Sequence, residues 1–474
     1  MQLFTPLVVT LSQTLLLAPL TRAITIDVND PNSFKQGAAT VASDMMTFYA
    51  DRDSKLIPGK FDGTWWEGGA MFMGLMQYWH WTGDATWNEQ VNSGMVWQAG
   101  PNGDFFTSNY SSYLGNDDQA FWGLAAITAA ELNYPAVADA PSWLSMAQAV
   151  FNEQASRWDD TTCKGGLRWQ IYPIQSGYRI KNAISNGALF QIAARLARYT
   201  GNQTYSDWAE KIWDWSATTP LLNTSEWHIA DTTTPATDCT DHGDIQWTYN
   251  YGTYLMGAAY MYNFTNAGTK WKNGVDGLLA KTISLFFPSE YGGKVMSEVA
   301  CESIDTCDRN QICFKGFLSA WLATTTQLVP YTLGEIKPLL QGSAVAAGKQ
   351  CTGLSDDAHC GIQWYNPTWD RSSGIEQQMA VLGIFSNNLV FFDGSSSSPN
   401  SNYTAPKQPA PLTAGSGGNS TSNPGAGASE APFDPNAGLM NIGTADRAGA
   451  GVLTGVFGLA WIGMLIWIAK DVGE

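Results

Sequence analysis

Charged side chains are scarce in this sequence: 14% of its 474 residues, against about 25% in an ordinary soluble domain. Basic ones are scarcer still, with 25 Lys and Arg set against 42 Asp and Glu and a net charge of −17. So few cations leave no electrostatic footprint for nucleic acid. Histidine occurs only four times, scattered, and H-E-x-x-H is missing. The cysteine spacings match no zinc ribbon or finger. Asp51-Arg52-Asp53 starts like a calcium loop but departs from it at Lys55. G-x-S-x-G, G-x-G-x-x-G and the P-loop pattern are also absent, which removes the serine-hydrolase elbow and the nucleotide-binding folds. The expectation is an enzyme with no metal and no cofactor. Alternation of the β type is almost absent.

What is present is apolar and aromatic. Hydrophobic residues make up 44% of the chain and aromatic ones 12%, with 21 Trp and 47 Gly. Such a composition builds a large core and excludes disorder for most of the chain. Residues 1–23 read as a secretory signal, with an apolar run from Leu7 to Leu17 and small Ala23 at its end. Residues 394–436, rich in Ser, Pro, Gly and Asn, read as a flexible stalk. Residues 437–474 carry an uncharged apolar run from Ala448 to Ala469, about eleven residues beyond the small triplet Asn436-Ala437-Gly438. That spacing suits a glycosylphosphatidylinositol (GPI) attachment at Asn436 followed by a cleaved propeptide; an ordinary membrane span is the alternative. Six N-glycosylation sequons, at Asn109, Asn202, Asn223, Asn263, Asn402 and Asn419, agree with secretion. Seven cysteines allow three disulfides and one spare thiol. Cys351 and Cys360 flank one loop, Cys301, Cys307 and Cys313 crowd another, and Cys163 can pair with Cys239 or with the crowded loop. The expected place is the outer face of the cell membrane and the cell wall.

Between Asn32 and Phe392 two kinds of helical segment take turns. One kind is apolar all round, as in Ala120-Phe121-Trp122-Gly123-Leu124-Ala125-Ala126-Ile127, and such helices are buried. These begin near Gly68, Asp117, Ser185, Tyr251, Lys315 and Gly374. The other kind carries one apolar stripe, such as Tyr205, Trp208, Ile212 and Trp215. These lie near residues 33–50, 85–99, 141–156, 204–216, 269–287 and 335–349. A joint recurs as Thr82-Gly83-Asp84-Ala85-Thr86-Trp87, Thr200-Gly201-Asn202-Gln203-Thr204-Tyr205 and, more loosely, Asn266-Ala267-Gly268-Thr269-Lys270-Trp271. Six hairpins of one buried and one half-exposed helix predict an all-α (α/α)6 toroid over residues 24–393, six helices within six. An open solenoid is the competing fold, but it needs polar capping repeats that the chain lacks.

Loops ahead of the buried helices carry the chemistry. Trp66, Asn182, Asn186, Asp244, Trp247, Tyr249 and Asn250 place aromatic faces beside planar polar groups, which is how sugars are held. Trp122 follows one turn into its helix. Three Asp pairs compete for catalysis: Asp117-Asp118, Asp159-Asp160 and Asp356-Asp357. Only Asp117-Asp118 opens a buried helix at the expected mouth. An Asp at a helix start is ordinarily a cap, but two side by side can divide the work of a glycosidase. The positive helix end favours one carboxylate, and the like charge alongside raises the other's pKa. Retaining glycosidases place their carboxyls roughly 5–5.5 Å apart, a span neighbouring side chains can meet.

Gly115-Asn116-Asp117-Asp118-Gln119-Ala120-Phe121-Trp122, Gly165-Gly166-Leu167-Arg168-Trp169-Gln170, Lys181-Asn182-Ala183-Ile184-Ser185-Asn186-Gly187, Trp247-Thr248-Tyr249-Asn250-Tyr251-Gly252 and Phe314-Lys315-Gly316 resemble glycoside hydrolase family 76. The likeness is nearest to its fungal, GPI-anchored wall branch. The resemblance implies the (α/α)6 fold and retaining action on α-1,6-linked mannose, with Asp117 as nucleophile and Asp118 as acid/base. For the wall branch it implies cutting the mannose core of a GPI-type glycan and joining the anchored protein to a β-glucan acceptor. Bacterial α-1,6-mannanases of the family tend to carry Gln where this chain has Tyr251. Three other readings compete: a plain mannan hydrolase, an inactive wall lectin, and an inverting glucoamylase-like enzyme, which would want carboxylates far apart in sequence. Surplus aromatic residues (Trp65, Trp66, Trp247, Tyr251) could hold an acceptor. A monomer is expected.

Overall fold

The computed structural model describes residues 23–50, 57–61, 64–107, 113–353, 358–392, 410–428, 433–436 and 444–471. The signal run through Arg22, Asp51 to Asp53, Asp356-Asp357, the sequons at Asn109 and Asn402, and Ala437-Gly438 lie outside the described residues. The chain divides into a unit ending at Phe433 and a second, Asp434–Glu474.

The first unit holds twelve α-helices among the described residues: α1 (Pro31–Ala50), α2 (Trp66–Thr82), α3 (Asn88–Ala99), α4 (Asn116–Glu131), α5 (Trp143–Ser156), α6 (Ala183–Thr200), α7 (Gln203–Ala217), α8 (Thr248–Phe264), α9 (Thr269–Phe286), α10 (Phe314–Leu328), α11 (Leu333–Lys349) and α12 (Ile375–Asn388). The even-numbered helices pack α2–α4–α6–α8–α10–α12 and back to α2, closing an inner ring. The odd-numbered helices back onto it from outside. The fold is the (α/α)6 toroid that alternating helix character predicts.

Composition explains the layering. α4 and α12 are buried along almost their whole length, which suits helices with no polar stripe. α7 buries one stripe, Tyr205, Ala209, Ile212, Trp213 and Trp215, and leaves the other face to water. Close approach of inner helices needs residues without a Cβ. A Cβ at Gly68 or Gly69 would lie 2.9 Å from the Trp122 ring, so the glycine pair lets α2 settle onto α4. The joints end as the repeat suggests: Gly83 caps α2 at φ 79° and Gly201 caps α6 at φ 71°. At the third joint the left-handed residues are Asn266 and Ala267, and Gly268 precedes the next helix.

Inner helices all start at one end of the ring. Connections at that end are long: 100–115, 157–182, 218–247, 287–313 and 350–374. Those at the far end are short. The long loops hold a three-stranded antiparallel sheet, β1 (Lys181–Asn182), β2 (Thr232–Thr233) and β3 (His242–Gly243), which the sequence pattern did not foretell. β4 (Cys351–Gly353) and β5 (His359–Cys360) form a second ribbon. Disulfides Cys163–Cys239, Cys301–Cys307 and Cys351–Cys360 tie the same loops, leaving Cys313 as a buried thiol.

Part of the segment expected as a flexible stalk is instead laid against the toroid. Leu412 N–H donates to the Glu131 carbonyl. The amides of Asn133, Gln148 and Asn152 bond residues 417–426. Polar Ser and Asn residues on the strap, with the Gln148 and Asn152 amides of α5, supply bonds that composition alone does not reveal. In the second unit, α13 (Thr444–Asp471) contains a stretch, Arg447–Ile468, long and apolar enough to cross a bilayer.

Candidate active site

The site is built on the first turn of α4. Asn116 N–H bonds the Trp169 carbonyl and its Nδ2 bonds the Arg168 carbonyl, which fixes the turn against the 157–182 loop. Arg157 reaches Asn116 Oδ1 and Gln119 Oε1 from behind. With the turn held, Asp117 and Asp118 present side by side at the floor of a cleft of about 420 Å³. The Gly115 N–H donates to Asp118 Oδ2 at 2.7 Å. The Asp118 N–H donates to Asp117 Oδ1 at 3.0 Å. The Asn182 amide lies 3.5 Å from Asp117 Oδ2, and Asn182 also caps α6 through the Ser185 N–H.

Burial raises both carboxyls above the usual aspartate range. Asp117 goes up further, because the Asp118 charge adds to its burial; backbone N–H groups and Asn182 offset only part of this. Asp118 rises to about 6, its burial countered by the Gly115 N–H. The two therefore titrate as a pair and hold one proton between them across the weakly acidic range.

Around the pair, Trp66 lies under Phe121 with ring centroids 4.6 Å apart and donates from Nε1 to Asn310. Tyr249 stacks flat on Phe314 at 3.8 Å, with Trp247 edge-on to the same ring. Trp169, Gln170, Ile184 and Ile245 complete the walls. Two further carboxylates, Asp231 and Asp308, face the cleft, and among the described residues no Lys or Arg lines it. Asp231 is raised by burial and partly held down by the Asn250 amide at 2.9 Å.

Of the residues expected to contact sugar, Trp66, Trp247 and Tyr249 line the cleft and Asn182 touches Asp117. Asp244 sits on the exposed rim beside His242. Three lie elsewhere, and their assignment is corrected. Trp122 is wholly buried, stacked between Trp65 and Phe105. Both amide atoms of Asn186 are consumed by the Leu167 backbone and the Asn182 carbonyl. Asn250 is buried and reaches the site only through Asp231. Trp65 and Tyr251 are core residues as well, bonded to Gln98 and Gln246. Asp231, Asp308, Asn310 and Phe121 were not anticipated; Asp231 meets Asn250 only because β2 folds beside α8, a pairing without local sequence signal.

Asp159 is a structural anchor. Hydrogen bonds from Thr161 and Thr162 and the charges of Lys181 and Arg168 outweigh its burial and hold it at about 2. Lys181, wholly buried, donates to the Asp159, Thr162 and Gly165 carbonyls and so fixes the strand that carries Asn182. Among the sequons, Asn202, Asn263 and Asn419 are exposed and Asn223 half-buried. No group of three metal-ligating side chains occurs among the described residues.

The sequence profile of glycosyl hydrolase family 76 matches residues 33–400. The chain is similar to the mannan endo-1,6-alpha-mannosidase DCW1 of Saccharomyces cerevisiae, with 38% identity over 452 residues, 94% of this chain and 96% of that protein. It is 41% identical to the putative mannan endo-1,6-alpha-mannosidase C970.02 of Schizosaccharomyces pombe over 432 residues, 90% of this chain and 93% of the relative. Its structure resembles Dfg5 from Chaetomium thermophilum, solved in complex with glucosamine: TM-score 0.77, 38% identity, covering 86% of this chain and 98% of the other. It shares its fold with the α-1,6-mannanase GH76A of Salegentibacter sp. HEL1_6, at TM-score 0.60 and 18% identity, covering 75% of this chain and 98% of the other.

Proposed function

Since the chain belongs to glycosyl hydrolase family 76 and is a glycoside hydrolase, we propose that it cuts α-1,6-linked mannose in GPI-type glycans with retention, and transfers the released glycan to wall β-glucan. The observation that carries this reading is the Asp117-Asp118 pair, sharing a proton at the floor of an aromatic cleft.

The proposed steps use this geometry. A donor mannose stacked among Trp66, Trp247 and Tyr249 sets C1 over Asp117. Positive charge growing at C1 favours the ionised form of the nearest carboxyl, so the shared proton passes to Asp118. Asp118 gives it to the departing glycosidic oxygen while Asp117 bonds C1. Asp118, now ionised, takes a proton from an acceptor hydroxyl, whose oxygen displaces Asp117 from C1. Asn182 and the first backbone N–H groups of α4 stabilise the carboxylates between these steps.

Among the described residues that line the cleft, four are aspartates and none is Lys or Arg, a lining that favours a donor carrying a cation. The unacetylated glucosamine of a GPI glycan is such a group, and the Chaetomium relative was solved with glucosamine. Secretion, GPI attachment at Asn436, a wall and membrane location and a monomeric state belong to the same proposal. So does glycosylation at the sequons. Plain mannan hydrolysis is the second reading, favoured by the names of the relatives. Incubating the ectodomain with an α-1,6-mannosyl donor and β-glucan oligosaccharides separates the two. Mixed mannosyl-glucan products are expected; free mannosides alone, at a rate no glucan changes, would make it a mannanase.

A further inference from the structure

Opposite the catalytic mouth the axis of the ring opens again. There the later halves of all six inner helices surround a second cavity of about 340 Å³, within the range of small-molecule sites. Among the described residues it shares none with the cleft around Asp117 and Asp118. The strap completes one wall with Ala410, Pro411 and Leu412. Arg198 Nη1 holds the Pro411 carbonyl at 2.7 Å, and the Leu412 N–H donates to the Glu131 carbonyl at 3.0 Å.

In its lining Arg195 of α6 meets Glu131, the last residue of α4. Arg195 Nε and Nη2 donate to Glu131 Oε2 at 3.1 and 2.6 Å, and the Tyr260 hydroxyl donates to the same oxygen. Every one of these bonds falls on a single carboxylate oxygen. The other, Glu131 Oε1, accepts none among the described residues, and Arg195 Nη1 and the Trp321 indole N–H donate none. Arg195 and Glu131 are each 2% exposed and Trp321 1%. Buried polar groups left without a partner are costly, so a ligand that brings both a donor and an acceptor gains by reaching them.

The lining also selects by charge. Arg195 and Glu131 cancel, and burial pulls His80 down to about 4, which leaves it neutral at ordinary pH. No other Asp, Glu, Lys or Arg lines the cavity among the described residues, in contrast to the four aspartates of the cleft. An ionised ligand would have to break the buried pair or leave one member of it over. A hydroxyl fits instead, since it can donate to Glu131 Oε1 and accept from Arg195 Nη1 or Trp321 Nε1. Trp79, Trp81 and Trp321 supply aromatic surface for the C–H faces of a ring, and the Gln77, Asn133 and Gln327 amides supply bonds for further hydroxyls. We propose that this cavity is a second carbohydrate site, which holds a neutral pyranose unit such as ends an α-mannan or a β-glucan chain. Its single carboxylate is tied to Arg195, so the site binds a sugar without cutting it. Occupancy there is independent of the reaction in the cleft.

The test measures binding to the full chain in detergent by calorimetry, and locates the sugar in soaked crystals. Binding is read in an Asp117→Asn background, so that a mannoside is not consumed. The probes are α-1,6-mannotriose, a β-1,3-linked glucotriose, and glucosamine at weakly acidic pH, where it is an ammonium. A neutral trisaccharide should occupy the cavity, and which of the two does so names the source; glucosamine should enter the acidic cleft alone. Thr324→Trp fills the cavity from α10 and should weaken the hold there roughly tenfold or more. Trp81→Ala removes a wall and should act in the same direction, and it carries the comparison if the larger side chain prevents folding. With Asp117 restored, both variants should turn over a soluble α-1,6-mannosyl donor at the parental rate. Crystals with neither trisaccharide in the cavity overturn the proposal, as does undiminished binding in the folded variants. Glucosamine in the cavity on equal terms with the neutral sugars overturns the selection by charge. A chain that binds sugar in the cavity and turns over no donor overturns the reaction proposed for the cleft and leaves this site standing.

Discussion

The Gly115 N–H points at Asp118 Oδ2 from 2.7 Å, while the place a Cβ would occupy on Gly115 lies only 2.4 Å from Asp117 Oδ1. One residue thus holds one carboxyl by its backbone and leaves room for the other by having no side chain. Its φ of −93° is open to any residue, so strain plays no part. Gly115→Ala should displace Asp117 by around an ångström and lower kcat by roughly 10²-fold. The melting temperature should stay within a few degrees of the parent. Steady-state kinetics beside a thermal melt check this; an unimpaired kcat would show that Asp117 has no fixed place in the reaction.

The roles within the pair separate by substrate. Asp117→Asn and Asp118→Asn should each cut turnover of an α-1,6-mannobioside by about 10³-fold or more. An aryl mannoside whose leaving group needs no proton should still be attacked in Asp118→Asn, and the glycosyl-enzyme should accumulate and register by intact-protein mass spectrometry. Asp117→Asn should show no adduct. The reverse pattern would exchange the roles.

Glu298 supplies a pH signature for stability. It is wholly buried and accepts from Thr248 N–H and Oγ1 at the start of α8. Burial raises it to about 8, with Thr248 and Lys315 opposing. A carboxyl raised on folding binds its proton more tightly in the native state. Its contribution is fully present below the unfolded value near 4.5 and is lost as pH rises toward 8. At about 1.4 kcal/mol per pKa unit the loss amounts to about 3–5 kcal/mol. Glu298→Gln keeps both partners and should flatten the fall in melting temperature between pH 5 and 8; an unaltered slope would place that titration elsewhere.

The ring was legible because helix character alternates with a clean period. Ala120 to Ile127 can only be buried, and the Tyr205 to Trp215 stripe can only face inward. The place of Asp117 and Asp118 in the cleft was legible because two adjacent Asp open a buried helix. The lining was less so, for a physical reason. Trp122, Asn186 and Asn250 have the residue types of a sugar site, but an aromatic core consumes the same types. Trp122 fills the space left by Gly68 and Gly69, and Asn186 satisfies the Leu167 backbone. Which Trp or Asn reaches the cleft depends on loops of 16 to 30 residues whose course is set by disulfides, the Lys181 clamp and strand pairing, none of which has a local pattern. The strap was hidden likewise: Ser, Gly and Asn read as flexible until the amides of α5 are seen beside them.

Asp231 gives the sharpest test of what the cleft selects. It lies on the wall facing the substrate, away from the dyad's own backbone turn, and the Asn250 amide orients its carboxylate. Asp231→Asn preserves that hydrogen bond and removes only the charge. If the acidic wall reads an ammonium on the donor, the variant should raise KM for an amine-bearing α-1,6-mannosyl glucosamine about tenfold, the scale of one partly buried charge-assisted hydrogen bond. Its KM for the N-acetylated donor should stay unchanged, and so should kcat for both. Burial lifts the Asp231 carboxyl above its ordinary range. The parent's preference for the amine should therefore strengthen as pH rises and the carboxyl ionises, while the variant's preference stays flat. Equal KM changes for amine and acetylated donors would mean that Asp231 shapes the wall without reading charge.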